Sequence, residues 1–510
     1  MQRASKARLA TKQGVRAEKV FDGIMYGGHA LVPYGSRKRP AQANRKGGMP
    51  MGAHEGDMAD AYVRLLRYLL PGALAKLSAV KDPRKENMCD HSLGTLMLYG
   101  LIMFLAHAAS RRAANRDMGG ATAHGLLKQA IPDIETMPHA DTLARLLERI
   151  DAAEIESAYE KAIVEFIKSE AFLRMNPGRC LIAVDGTQKM SRRYFISKQA
   201  LVRRTRNGDI YSVYALESVI ILDNGVVLPL FTEMLENDGE GMEESKKQDC
   251  EQKAFKRMAE KIRALIGKGR VTIVADGLYA SGPVVSICKA NGWEFMITLK
   301  RGSMPSVWDD FDGLRKCEPD NIIQCKTEGG RDHCIVWSNG IEHTYGGNNK
   351  KLLLNIVACT ERWVEPRPRS GGVPAEKVVE YAWLSSSTIT EKNAVALCND
   401  IARKRWRIEN HIHVEKHQGY NYSHCYSYNW NAMKAFHSLM KFAHFMNTLI
   451  VHSADVRDYV ATNGARWFIR RAWVVLTICG VRKGEVPDAG QPKKKTERCR
   501  ANIKALNIVQ

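Results

Sequence analysis

Two short apolar runs in this chain end alike: "LIAVDG" at residues 181–186 and "TIVADG" at residues 272–277. Each predicts a buried strand halted by an Asp-Gly turn. Taken singly, an aspartate in that place is a turn former. Taken together in one α/β sheet, neighbouring strands set such residues side by side at one edge, where ligands bind. Two adjacent carboxylates repel, and a hard divalent cation such as Mg²⁺, which prefers oxygen ligands, relieves the repulsion. Asp185 and Asp276 are therefore the first candidate site residues.

The surrounding pattern supports such a sheet. Residues 57–175 are helical in period, as in "DTLARLLERIDAAEIESAYEKAIVEFIKS". After the strand at Asp185, the runs "YSVYALESVIIL" and "VVLPLFTEML" flank "DNG", a hairpin signal. A charged helix over 243–267, the strand at Asp276, a short helix and the strand "WEFMITLK" follow. Residues 301–388 read as strands between Gly/Pro/Asn turns with no convincing helix, a β-rich insertion. Helices resume at about 391 and run to 479. The expected organisation is a basic arm (1–56), a helical domain (57–175), a mixed α/β catalytic domain in two parts (176–300 and 389–455) around the insertion (301–388), and a C-terminal helix with a basic tail (456–510).

Charge bears on the partner. Of the net +21, residues 1–50 hold 11 Lys/Arg against 2 Asp/Glu and residues 464–510 hold 11 against 3, so +17 sits on the two ends. Basic arms around a near-neutral body suit a polyanion such as DNA or RNA. The segment "SRRYFISKQALVRRTRN" interleaves cations with aromatic residues beside Asp185, and Arg192, Arg193, Arg203 and Arg204 are read as a DNA-contacting loop. The cysteines form no CxxC pair, as expected of reduced thiols in a cytoplasmic protein. The run "SLGTLMLYGLIMFLAHAA" (92–109) approaches membrane length but carries His107, and a buried helix is the expectation. No membrane partner is called.

The third candidate lies in "RKRWRIENHIHVEK", residues 403–416. On an α-helix at roughly 100° per residue, Arg405, Lys416, Glu409 and Ala402 fall on one stripe. A glutamate there could complete a metal site between two cations. It reads as buried.

With these residues in view, the sequence resembles the DDE transposases of bacterial insertion sequences, in particular the cut-and-paste type with a β insertion before the catalytic glutamate. The resemblance spans roughly residues 90–455. It rests on "AVDGT", on "VADGLYASGPVVSICKANGWEFMITLKR", and on a helix signature of Tyr, two residues, Arg, three residues, Glu, six residues, Lys. Arg405, Glu409 and Lys416 match that signature, whereas Ala402 takes the tyrosine position. The aspartates are 91 positions apart, and Glu409 follows Asp276 by 133.

The resemblance implies a ribonuclease-H-like catalytic domain in which Asp185, Asp276 and Glu409 hold two Mg²⁺ ions, Mn²⁺ substituting. It also implies double-stranded DNA as substrate, Arg405 and Lys416 on a phosphate near the cut end, and a homodimer in a synaptic complex. In some relatives a DNA hairpin forms with help from the signature tyrosine and an aromatic of the insertion. Trp308, Trp337, Trp363 and Trp383 are the candidates for stacking. His411, His413, His417 and His424 with Cys425 have weak zinc spacing and are expected to face solvent or phosphate. No Walker-type motif occurs, so ATP use is not expected.

Overall fold

A computed structural model of the chain describes residues 53–85, 89–120, 123–125, 128, 134–237, 248–327, 329–365 and 374–479. The N-terminal arm, the basic tail beyond Cys479 and the first residues of the expected 243–267 helix lie outside the described residues. The chain divides into two compact units.

The first unit, 1–175 with 224–226 and 413–510, is helical. Its described helices are α1 (Ala53–Ser78), α2 (Leu93–Leu105), α3 (Arg111–Met118), α4 (Ala140–Leu147), α5 (Ala152–Ile167) and α6 (Glu170–Met175). Near the C-terminus it gains α11 (Trp430–Val451), α12 (Arg457–Asn463) and α13 (Ala465–Cys479). Almost every side chain of α2 is buried against α11 and its neighbours, so the apolar 92–109 run is a core helix. Among the described residues no helix is long and apolar enough to cross a membrane. Tyr62 of α1 donates to Asn447 of α11 (3.0 Å) and accepts from the Trp473 indole of α13 (3.0 Å), tying three apolar helices at one polar point. These contacts gather the helices from 430 onward with the N-terminal ones, whereas the sequence reading runs the catalytic part to 455.

The second unit, 176–223 and 227–412, is built on one ten-stranded sheet. Its strands are β1 (Cys180–Arg192), β2 (Leu201–Thr205), β3 (Gly208–Ile221), β4 (Val227–Met234), β5 (Val271–Ala275), β6 (Glu294–Thr298), β7 (Ile322–Lys326), β8 (Asp332–Tyr345), β9 (Lys350–Glu365) and β10 (Ala375–Ser385). The order is β2-β3-β1-β5-β6-β10-β9-β8-β7, with β4 beside β3. Strands β1, β5 and β6 are parallel, joined through α7 (Glu251–Ile266) and α8 (Gly282–Ala290). Parallel neighbours need such crossovers. The expected hairpin is β3–β4.

Three expectations are corrected. Residues 301–388 contain a helix, α9 (Pro305–Cys317), with Pro305 in its first turn and Val307, Trp308 and Phe311 buried. Proline there pre-sets the first turn, and those apolar residues pack toward β8. The β-rich segment also extends the main sheet: β10 pairs antiparallel with β6, with Trp383 opposite Thr298. Finally, Leu201–Thr205 is a strand on β3, not a free loop.

The face of the sheet bearing Ala183, Val219, Val274, Met296, Val357 and Trp383 is the core of this unit. It is covered by a turn of helix (Ala394–Ala396), a π-helical stretch (Leu397–Ile401), a 3₁₀ stretch (Ala402–Arg405) and α10 (Trp406–His417). Helix α7 lies on the other face, where Ser218 of β3 bonds Met258 (3.2 Å).

Candidate active site

Alternation along a strand fixes where the two aspartates point. Asp185 lies two residues beyond Ala183, and Asp276 two beyond Val274, and Ala183 and Val274 are parallel partners. Both acids therefore emerge on the core face of adjacent strands, Asp276 just past the end of β5 and Asp185 within β1, which continues to Arg192 instead of stopping in the expected Asp-Gly turn. Asp276 ends β5 and caps a 3₁₀ turn, its Oδ1 accepting from the Leu278 amide (2.8 Å). Its Oδ2 is 3.3 Å from the exposed Lys300 ammonium, a contact that water largely screens.

Glu409 comes to this edge from α10, where Arg405 bonds it at 2.8 Å. The burial expected for this pair is reversed: the Glu409 side chain is 53% exposed and Arg405 only 12%. The chain preceding α10 is π and then 3₁₀, so the α-helical wheel does not extend back through Ala402. Ala402 is buried in the core cluster instead of standing on a stripe with Arg405 and Glu409. Interruptions of this kind often occur at functional sites.

The electrostatics of Asp185 join these elements. Its carboxyl is raised to about 6, chiefly by burial; Arg405 opposes the rise, and the charges of Asp276, Glu409 and Glu251 add to it. The negative charge is thus only partly compensated by the protein. The donor set, all carboxylate oxygen, fits a hard divalent cation. Among the described residues the triad is not one of the groups whose ligand atoms all lie within 4.8 Å of one another, and the exposed Glu409 is held by Arg405.

The other predicted residues separate. A bulge between Gln188 and Met190 shifts the register of β1 on β3, so that Arg192 pairs with Tyr211 and Asp185 with Glu217. Without that extra residue Arg192 would face away from Asp185; with it, the two share a face. Arg204, opposite Asp209, joins that face, whereas Arg203, opposite Ile210, points to the other. Arg193 is exposed beyond the end of β1, beside exposed Tyr194 and Phe195. Lys416 lies on the last turn of α10, beyond the point where the chain enters the helical unit, 5.7 Å from the Tyr422 ring.

Of the candidate tryptophans, Trp308, Trp337 and Trp383 are core residues, and Trp363 is half-buried under the Arg331 guanidinium (4.4 Å). Trp406, absent from the candidates, is 42% exposed. His411 is buried, contrary to expectation, while His413, His417 and His424 are exposed.

Sequence reasoning also missed Glu251, Glu361 and Arg403. A glutamate in the first turn of a helix satisfies the helix dipole, so Glu251 carries no signal of its own. Glu361 on β9 is buried, accepts from Arg331 (3.0 Å), is ion-paired with Arg403 and lies 3.0 Å from His333 Nε2. His333, Cys359 and Glu361 lie close enough to hold a metal. Yet two guanidiniums already neutralise Glu361, and burial pushes the Cys359 thiol up to about 11, which keeps it protonated and a poor ligand.

No curated protein matches the chain. Two family models do: "Transposase DDE domain" over residues 245–446, and "DDE_Tnp_1-associated" over residues 74–162. The first spans Asp276, Arg405, Glu409 and Lys416; Asp185 falls between the two matched segments. Proteins of the first kind are DNA-transposing enzymes that use divalent metals. A large mixed α/β sheet with helices at both ends of the chain agrees with both matches, and the chain belongs to the DDE transposases.

Proposed function

We propose that this chain is a cut-and-paste transposase of a bacterial insertion sequence, cutting DNA at the element's ends and joining the freed 3′-hydroxyls to target DNA. What supports the reading is that Asp276 and Glu409 act on the half-buried Asp185, whose carboxyl is raised to about 6 by burial first and by their charges in addition. Asp185, Asp276 and Glu409 would hold two Mg²⁺ ions, with Mn²⁺ able to substitute. Bound there, such ions activate an attacking oxygen and stabilise a leaving one.

The chain's own residues orient the DNA. Arg405, close to both Asp185 and Glu409, is placed to neutralise a phosphate once Glu409 turns to the metal. Lys416, Arg192, Arg193, Arg203 and Arg204 are assigned to phosphates more remote from the reacting atoms. Ala402 is buried and lacks a hydroxyl, so no hairpin step is included. Two DNA ends must be held at once, which calls for a homodimer on DNA in the nucleoid.

The test is a strand-transfer assay with 3′-hydroxyl ends taken from inverted repeats flanking the coding region and a plasmid target. Joined product dependent on Mg²⁺ is expected from wild type, and none from Asp185→Asn, Asp276→Asn or Glu409→Gln. Nicked ends without joined product would make the chain a nuclease of the same fold. Intact DNA with all proteins would make it a non-catalytic DNA-binding relative.

A further inference from the structure

Beside the triad lies a fourth carboxylate. Glu251 opens α7, on the face of the sheet opposite α10. Its carboxyl reaches back to β1 at Gly186, the residue after Asp185. A methyl group built on Gly186 would sit 2.1 Å from the Glu251 carboxyl carbon. A side chain at 186 would displace the Glu251 carboxylate, so glycine there, whose backbone is not in the left-handed region, leaves the carboxylate its place.

Tyr279, fully buried two residues after Gly277, donates to Glu251 Oε2 at 2.7 Å. Its ring is held against Phe255 of α7 at 5.7 Å. The tyrosine fixes one carboxylate oxygen and leaves the other. Among the described residues no cation pairs with Glu251, although its charge acts on Asp185 and that of Asp276 acts on it. Half-burying an acid beside two others without a counter-ion costs free energy. A function is the natural return for that cost.

We propose that Glu251 is a fourth carboxylate of the metal centre, supplying oxygen to the divalent ions held by Asp185, Asp276 and Glu409, with Tyr279 and Gly186 positioning it. Four carboxylates balance two divalent ions charge for charge, leaving Arg405 for the DNA phosphate. The inference rests on the metal-centre reading above and extends it to a residue on another element.

The experiment is a titration of the full-length protein with Mn²⁺, followed by electron paramagnetic resonance of the free ion, without DNA and without turnover. Glu251→Gln is expected to weaken Mn²⁺ binding by roughly tenfold or more, and Tyr279→Phe to weaken it by a smaller factor. Glu251→Asp, which keeps the charge on a shorter arm, should fall between wild type and Glu251→Gln. Melting in EDTA identifies variants that do not fold; if Glu251→Gln is one, Glu251→Asp and Tyr279→Phe decide. Loss of Mn²⁺ binding in Asp185→Asn together with unchanged binding in Glu251→Gln overturns this inference and leaves the triad standing. Wild-type binding in Asp185→Asn overturns both.

Discussion

The sheet of the second unit carries two acidic centres on the same face, one around Asp185 and one around Glu361, and they are handled in opposite ways. Glu361 is buried but meets Arg403, Arg331 and His333. Arg403 is itself stacked over Tyr381 (4.9 Å) and bonded to Asn399 (3.1 Å). That centre is complete within the protein, and it bolts the 3₁₀ stretch preceding α10 onto strands β8–β10. Asp185 has one arginine against three carboxylates. A compensated buried acid is structural; an under-compensated one is poised for a cation from outside.

The largest expected effect separates the two by chemistry. Asp185→Asn or Glu409→Gln should lower DNA cleavage by at least about 10³-fold, a loss of roughly 4 kcal/mol in transition-state stabilisation, while DNA binding in a gel-shift assay persists. Parallel loss of binding would show these residues to be structural.

Glu361→Leu should do the reverse. It strands a buried guanidinium and should cost about 3 kcal/mol of stability in urea unfolding, with Mn²⁺ affinity of the folded protein unchanged. A stable variant with weakened Mn²⁺ binding would place Glu361 in the metal centre instead.

A pH comparison sharpens the same contrast. Asp185 titrates at about 6 in the folded chain, above the ordinary 3.8, so the folded state binds its proton more tightly than the unfolded state. Its contribution to stability is therefore greatest below pH 4 and falls as pH rises to about 6. In metal-free buffer, Asp185→Asn should match wild type at pH 4 and exceed it above pH 6 by about 1–3 kcal/mol. Saturating Mg²⁺ should reverse that order. A difference independent of pH would remove the uncompensated charge from the argument.

The smallest effect concerns the arginines set by the β1 bulge. Arg204→Ala should reduce the slope of log affinity against log salt by about one, and Arg203→Ala, on the other face of β2, should reduce it by less. Equal effects would mean that DNA wraps the edge of the sheet.

Much of this was legible in the chain. The strand that ends at Asp276, the β3–β4 hairpin and the core helix α2 follow from local apolar patterns and turn residues, which act over a few positions; the Asp-Gly turn expected at Asp185 does not form, because β3 pairs with β1 on past it to Arg192. Helix α9 was missed because its apolar residues are few and its neighbours favour turns. Arg192, Arg193, Arg203 and Arg204 read as one basic loop, because a one-residue bulge leaves no mark that separates Arg203 from Arg192 and Arg204. Glu251 and Glu361 were invisible for another reason: a glutamate looks the same in sequence whether it faces water, two arginines or a second carboxylate.

The sequence by itself determined the identity and order of the acids, the Arg405–Glu409 pairing four residues apart, and the basic ends suited to a polyanion. Those are properties of spacing and charge. Only the tertiary structure decided that Arg405 is half-buried and Glu409 exposed, that Ala402 belongs to the core, and that Glu251 reaches Gly186 from the other face of the sheet. Each of these depends on groups far apart along the chain sharing one low-dielectric place, and no local pattern encodes such a meeting.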